Sequence, residues 1–185
     1  MSATESIVRI QDLIAGWRPL GYQRLSSGTE LYACMPDEEQ DVWLHVVFAG
    51  MDKARLEQLE KGLGCRLPGL LRSFYRSCGG MSLFGGAFVF AGHHPFGFAA
   101  GERALQPLGL VEVNHAIDMF GWRRRDAVVF AVNGWDGSVH VAGMGDTPNE
   151  VVRCDRVTGR VIERHADVFA CVEARLYRLD SLAMK

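Results

Sequence analysis

The sequence predicts an α+β fold, in which one domain contains a largely antiparallel or mixed sheet flanked by helices. Three observations lead to this prediction. Apolar residues recur at helical spacing near both ends of the chain, two short helices meet at a Leu-Pro step in its middle, and short apolar segments alternate with turn residues in its second half. Strands joined by tight turns run antiparallel, and helices grouped apart from them indicate the α+β class. A chain of 185 residues can bury a sizeable core in a single domain.

The N-terminal part is predicted to contain one helix and a pair of strands. Apolar residues at helical spacing predict a helix over residues 5–17. Strands are predicted over residues 30–34 and 42–48, which are rich in apolar and aromatic residues. The acidic, proline-containing segment between them, residues 36–41, is typical of a solvated hairpin loop.

Residues 56–80 predict two short helices and the points where they end. The apolar positions are Leu56, Leu59 and Leu63 in the first helix, and Leu70, Leu71, Phe74, Tyr75 and Cys78 in the second. Gly64 is expected to end the first helix, because glycine adopts a positive φ without steric cost. Pro68 suits the start of the second, where a missing N–H is no loss. We expect Gly79 and Gly80 to be turn glycines that end the second helix.

The second half is predicted to contain two hairpins and a closing helix. The predicted elements are a strand over 87–91, a short helix near 114–120, strands over 127–132 and 138–142, strands over 150–154 and 160–164, and a final helix after Asp167. The turn at residues 133–137 and the turn at residues 155–159 each contain glycine, as tight hairpin turns require. Asp167 is a favourable residue to cap the final helix.

The run LExLExxLGxxLPxxLxxFYxxxGG at residues 56–80 resembles the opening motif of the SUKH superfamily. These domains are related to a yeast regulator of cell-wall synthesis, and bacteria use them widely as toxin-immunity proteins. The later order of strand, glycine turn, strand and phenylalanine-containing helix is similar too. The resemblance covers about residues 54–180 and leaves residues 1–50 as an N-terminal elaboration with a helix and a strand pair. It implies a sheet flanked by helices, no catalytic apparatus, and function by binding another protein.

Composition argues against several classes of partner and location. The formal net charge of −2 is unlike the basic surface of a nucleic-acid-binding protein. No segment approaches the apolar run of ~18–20 residues that a membrane helix needs. The N-terminus lacks the charged and apolar regions of a secretory signal, so we expect a cytoplasmic protein. The five cysteines are scattered and odd in number, which favours reduced thiols.

No motif for catalysis, metal binding or cofactor binding stands out. His93 and His94 are adjacent, and neighbouring residues of a strand point to opposite faces. The remaining histidines lie far apart and at no known ligand spacing. Residues 143–146 lack both the GxGxxG pattern and the Lys-Ser/Thr ending of a phosphate loop. We therefore expect no catalytic residues, no metal ion and no cofactor.

Two sequence features are candidates for binding a partner protein. The first is the acidic loop with its neighbouring aromatic residue, which comprises Asp37, Glu38, Glu39, Asp41 and Trp43. Negative charge can steer a basic partner towards such a surface. The second is Trp135 with Asp136 in the predicted tight turn, because tryptophan is enriched at interface hot spots. The alternatives are an ordinary solvated loop in the first case and a tryptophan folded onto the core in the second.

These observations favour a non-catalytic protein-binding module that acts as an immunity protein and neutralises a bacterial toxin domain. One alternative is an interaction or scaffold domain that regulates another process. A further alternative is a protein that binds a small ligand through its glycine-rich and histidine segments.

Overall fold

The computed structural model describes residues 3–36, 41–93 and 106–183. In chain order the elements are α1 Ala3–Ala15, a 3-10 turn Arg18–Leu20, β1 Tyr22–Arg24, β2 Glu30–Pro36, β3 Asp41–Ala49, α2 Lys53–Leu63, α3 Gly69–Ser77, β4 Cys78–Leu83, β5 Phe88–Phe90, α4 Leu110–Asp118, β6 Val128–Asn133, β7 Val139–Ala142, β8 Val151–Cys154, β9 Val161–His165 and α5 Val168–Ala183. The predicted α+β fold is confirmed.

The described strands form one sheet in which each strand pairs antiparallel with the next strand of the sequence. In such a meander, alternate turns lie at the same end of the sheet. The turns β2–β3, β4–β5, β6–β7 and β8–β9 therefore share one end, which we call the turn end. Two backbone hydrogen bonds link neighbouring parts of it: the N–H of Gly134 donates to the carbonyl of Ala87 at 2.9 Å, and that of Gly85 donates to the carbonyl of Leu44 at 2.9 Å.

Helices cover both faces of the sheet around β6. Helices α1, α3 and α5 contact one another on one face, where aromatic rings fill the core. The ring of Phe74 stacks on that of Phe90 at a centroid distance of 4.7 Å and lies 5.8 Å from that of Phe169. On the opposite face, Ile117 of α4 packs in a second cluster with Val129 and its neighbours. The sheet is thus buried on both sides in this region.

The helices α2, α3 and α5 begin or end at residues that favour a helix end. The Asp52 carboxylate accepts a hydrogen bond from the N–H of Arg55 at 2.8 Å and caps α2, which Gly64 ends with φ +69°. Pro68 directly precedes α3. The Asp167 carboxylate accepts a hydrogen bond from the N–H of Ala170 at 2.9 Å at the start of α5. The signals at Gly64, Pro68 and Asp167 were therefore read correctly from the sequence, whereas the Asp52 cap was not predicted.

The prediction that Gly79 and Gly80 are turn glycines was wrong. Helix α3 ends at Ser77, and the chain passes directly into β4, which includes both glycines and Cys78. A Cβ atom on Gly79 would lie 2.2 Å from the carbonyl oxygen of Ala49. The glycine is needed because the backbones of β3 and β4 approach closely there, which the sequence does not reveal.

Helix α4 begins earlier than the predicted helix near residue 114. It starts at Leu110, and the buried Asn114 lies in its middle. The Asn114 amide donates to the carbonyl oxygens of Leu110 and Val129 at 2.8 Å each, and accepts from the N–H of Val129 at 2.9 Å. A single side chain therefore fixes α4 against β6.

Alanine at Gly79 should destabilise the fold, because β3 and β4 must separate to accommodate the new methyl group. We expect a loss of ~1–3 kcal/mol in the free energy of unfolding, measured by urea denaturation. Gly69→Ala is the control, since a Cβ at the start of α3 meets nothing within 4 Å. Equal losses in the two variants would contradict the close approach.

His45 is a buried titratable group in the core. Its ring lies 4.5 Å from that of Phe84 and 5.1 Å from that of Trp17, and its Nδ1 accepts from the N–H of Phe84 at 3.4 Å. Burial lowers the pKa of His45 to about 4. Since the unfolded imidazole has a pKa of ~6.5, the unfolded state binds an additional proton between these two values. Stability is therefore lost as the pH falls through this window.

The variant His45→Gln should show a weaker dependence of stability on pH. Between pH 6 and 5, we expect the slope of unfolding free energy against pH to decrease by up to ~1.4 kcal/mol per pH unit, the value for one proton. Urea denaturation across this range provides the measurement, and slopes are compared because the substitution can also change absolute stability. His115→Gln, at an exposed position of α4, is the control. A slope unchanged from wild type in His45→Gln would refute the assignment.

Candidate protein-interaction surface

The acidic-loop candidate begins after β2 and continues into β3 in the sequence. Residues 37–40, with Asp37, Glu38 and Glu39, are outside the described residues. Asp41 is the first residue of β3, where it pairs with Pro36 of β2. Trp43 follows on the same strand, half-buried and paired with Cys34. A binding role for these residues stays a prediction.

The second candidate, Trp135, lies in the turn between β6 and β7. Its side chain is 57% exposed, so the alternative of a tryptophan folded onto the core is excluded. The turn is closed by two hydrogen bonds, from the N–H of Gly137 to the carbonyl of Asn133 and from the N–H of Asn133 to the carbonyl of Ser138, both 2.9 Å. The exposed ring is therefore carried by an ordered turn.

Two glycines allow the Trp135 turn to pack against its neighbours. A Cβ on Gly134 would lie 2.3 Å from the carbonyl oxygen of Gly86, in the adjacent β4–β5 turn. Gly137 has φ +64°, a conformation that side chains other than glycine rarely adopt. The turn therefore has little freedom to move Trp135 towards the core.

Asp136 ties this turn to the next strand. Its Oδ1 accepts hydrogen bonds from the N–H and Oγ–H of Ser138, at 2.9 and 2.7 Å, and its Oδ2 pairs with the guanidinium of Arg153. Burial opposes ionisation of Asp136, but these hydrogen bonds and the Arg153 charge outweigh it and lower its pKa. Asp136 thus has a structural role, because it holds the turn that carries the exposed Trp135.

An ionic network extends from Asp136 into the protein. The side chains of Arg153 and Arg175 are only 11% and 4% exposed, and both contact Glu163 of β9. Arg153 also donates from Nε to the hydroxyl of Ser138 at 2.7 Å. Buried guanidinium groups need such partners, because an unpaired buried charge is strongly destabilising.

The β8–β9 turn lies beside the Trp135 turn. The Asp155 carboxylate accepts from the N–H and hydroxyl of Thr158, both at 2.8 Å, and orders this turn. The indole N–H of Trp122 donates to the carbonyl of Arg156 at 2.9 Å, which attaches the segment after α4. Two apolar side chains are exposed on these segments. Val157 lies in the β8–β9 turn, and Met119, which is 87% exposed, directly follows α4.

Nothing in the sequence indicates that Met119 and Val157 are surface residues. Both are apolar residues at ordinary positions, and their exposure depends on which face of α4 packs on the sheet and how the β8–β9 turn is held. We define the exposed apolar side chains of Met119, Trp135 and Val157, with Asp136 and Arg156 beside them, as the turn-end surface.

Beneath the Trp135 turn, the fold brings together three residues that are potential metal ligands. They are His140 of β7, His165 of β9 and Cys171 of α5, and one ligand atom from each lies within 4.8 Å of the others. The candidate pair His93 and His94 cannot be compared, because His94 lies outside the described residues. No disulfide joins any of the five cysteines, all of which lie among the described residues. Burial raises the pKa of the thiols of Cys78, to about 12, and Cys171.

The fold and the turn-end surface together define an α+β domain with a continuous antiparallel sheet and an ordered, partly apolar surface. Residues 50–167 match the SMI1 / KNR4 family (SUKH-1), and the chain belongs to this family. Family members are generally non-catalytic regulator and immunity domains that interact with other proteins. The match begins after β3, so α1 and β1–β3 lie outside it.

No curated protein matches the chain. Within the described residues, no helix combines the length and apolar character needed to cross a membrane.

Removal of the Asp136 carboxylate should loosen the Trp135 turn. For Asp136→Ala we expect a loss of ~1–3 kcal/mol in unfolding free energy, because Ser138 loses an acceptor and the buried Arg153 loses a charge partner. Asp126→Ala is the matched control: its partner Arg124 is exposed, and exposed pairs contribute ~0–1 kcal/mol. Urea denaturation at neutral pH measures both, and a loss no larger than that of the control would contradict the anchoring role.

Proposed function

We propose that this chain is a non-catalytic protein-binding module that acts as an immunity protein and neutralises a bacterial toxin domain. Membership of the SMI1 / KNR4 family supports the general role of binding another protein. The single observation that carries the proposal at this surface is the exposed Trp135 ring on a turn held by hydrogen bonds.

Trp135 has the properties of an interface anchor. A tryptophan offers a large contact area with only two side-chain torsions to fix, and its turn is already ordered. Association therefore costs less conformational entropy than it would with a flexible loop. Val157 and Met119 extend the apolar area on neighbouring segments, and Arg156 supplies charge beside it.

The acidic residues that follow β2 in the sequence would add negative charge to the contact. Four strand spacings of ~4.8 Å place the adjoining ends of β2 and β3 roughly 19 Å from those of β6 and β7, a separation that one protein partner can span. A toxin that cleaves nucleic acid needs a basic surface for the phosphates. Negative charge on the immunity protein would speed encounter with that surface, and Trp135 would hold the complex by slowing dissociation.

The state of the buried thiols also supports a non-catalytic role. A reactive cysteine is a thiolate at neutral pH, whereas burial keeps Cys78 protonated by raising its pKa to about 12. Cys78 moreover lies where α3 passes into β4, with its Sγ 3.1 Å from the carbonyl oxygen of Gly80.

Co-expression with toxin domains encoded beside its gene tests the proposal. We expect rescue of growth and co-elution in size-exclusion chromatography with one such toxin. Trp135→Ala should weaken the complex at least ~30-fold, which corresponds to the ~2 kcal/mol of an interface hot spot, measured by titration calorimetry. Val8→Ala is the control, because Val8 is similarly exposed, at 49%, and lies on α1.

Two results would count against the proposal in different ways. Failure to bind or rescue with every adjacent toxin would reject the immunity role and leave an interaction domain of another process. Binding that Trp135→Ala leaves unchanged would reject the turn-end surface as the contact.

A further inference from the structure

The cluster of His140, His165 and Cys171 has the geometry of an incomplete metal site. Their ligand atoms lie within 4.8 Å of one another. Tetrahedral zinc with bonds of ~2.0–2.3 Å holds its ligands roughly 3.3–3.8 Å apart, so side-chain movements of about 1 Å would close the site. The cluster is shielded from water, since His140 and Cys171 are fully buried and the His165 side chain is 7% exposed.

Core packing alone does not account for this cluster. Nδ1 of His140 lies 3.1 Å from Sγ of Cys171, and this contact is an ordinary buried hydrogen bond. Nε2 of His165, however, is buried and has no hydrogen-bond partner. The nearest acidic oxygen, Oε1 of Glu163, is 3.5 Å away. Buried polar atoms almost always have a partner, so this nitrogen points to a missing one.

We propose that His140, His165 and Cys171 bind a zinc ion. A thiolate and two imidazoles are ligands that zinc favours, and three protein ligands leave the fourth tetrahedral position open. Glu163 lies beside the site, with Oε1 3.5 Å from Nε2 of His165 and Oε2 in contact with Arg153 and Arg175.

The charges around the site are compatible with a cation. Two arginines, Arg153 and Arg175, face two carboxylates, Asp136 and Glu163, so the fixed charges balance before the metal binds.

Binding would release one proton to solvent. The Zn–S bond forms as the S–H bond of Cys171 breaks, and the proton leaves to water or buffer. Because ligation removes the thiol proton, zinc affinity should increase with pH. In the metal-free protein the Asn133 amide donates to Nε2 of His140, which places the ring proton on Nδ1. If Nδ1 ligates, that proton moves to Nε2, and the Asn133 amide rotates so that its oxygen accepts it.

The ion would join β7, β9 and α5 directly below the Trp135 turn. Asn133 of the Trp135 turn contacts Nε2 of His140, so metal binding at His140 would stiffen the turn-end surface. The proposal concerns a metal site and does not depend on the identity of any partner protein.

Cobalt substitution in the full-length chain tests this site. After treatment with a chelator and a thiol reductant, the wild-type protein is titrated with Co²⁺. We expect tetrahedral cobalt bands with a thiolate-to-cobalt charge-transfer band that saturates at one equivalent, and displacement of cobalt by Zn²⁺. Zinc should also raise the melting temperature, with a larger effect at pH 8 than at pH 6.

Matched variants separate this site from adventitious binding. Cys171→Ala should abolish the charge-transfer band, and His165→Gln should weaken zinc binding at least ~10–100-fold, the range seen when a metal site loses a supporting group. The controls Cys154→Ala, a buried cysteine in the cluster on the opposite face, and His115→Gln, an exposed histidine, should bind as wild type does.

The proposal is overturned if folded wild-type protein shows no charge-transfer band, or if both variants bind metal as wild type does. Circular dichroism establishes that each variant is folded. If Cys171→Ala does not fold, His165→Gln decides, because His165 lies at the end of the edge strand β9 and its loss leaves the core packing of α5 intact.

Discussion

The C-terminal half of this protein depends on the pairing of two buried arginines. Arg153 of β8 and Arg175 of α5 share Glu163 of β9, and Arg153 also holds Asp136 in the β6–β7 turn. Removing a guanidinium from water is unfavourable unless carboxylates and hydrogen bonds replace the solvent. The need to pair both guanidinium groups therefore fixes β8, β9, α5 and the β6–β7 turn relative to one another. As a result, Trp135 lies on an ordered turn.

The sequential antiparallel sheet is the second constraint, and it decides where surfaces can form. Alternate turns must lie at one end, so the end of β2 at Pro36 and the Trp135 turn share that end although about a hundred residues separate them in sequence. Close packing between these turns needs glycine, as at Gly134. The two proposals concern neighbouring parts of the protein. The binding proposal concerns the exposed Trp135 ring in the β6–β7 turn, and the zinc proposal concerns the cluster of His140, His165 and Cys171 beneath that turn.

Local patterns in the sequence were sufficient for most elements of the fold. Helix α2 with Asp52 and Gly64 at its ends, the two C-terminal hairpins and the Asp167 cap all depend on residues a few positions apart. The prediction from sequence failed at positions whose structure depends on contacts with residues far away in the sequence. Gly79 is required by the Ala49 carbonyl of another strand, and α4 is positioned by the bonds between Asn114 and Val129. Of the candidate surface, the sequence indicated Trp135 and Asp136, but neither Met119 nor Val157.

The sequence by itself determined the α+β class, the family motif at residues 56–80 and the presence of a tryptophan in a tight turn, because periodicity, caps and turn residues act over short stretches of chain. Only the tertiary structure decided that Trp135 is exposed and that Asp136 is bound to Arg153. It also decided that His140 meets Cys171, 31 residues further along the chain, together with His165. Strand register and the position of α5 set these contacts, and both result from the packing of the whole core.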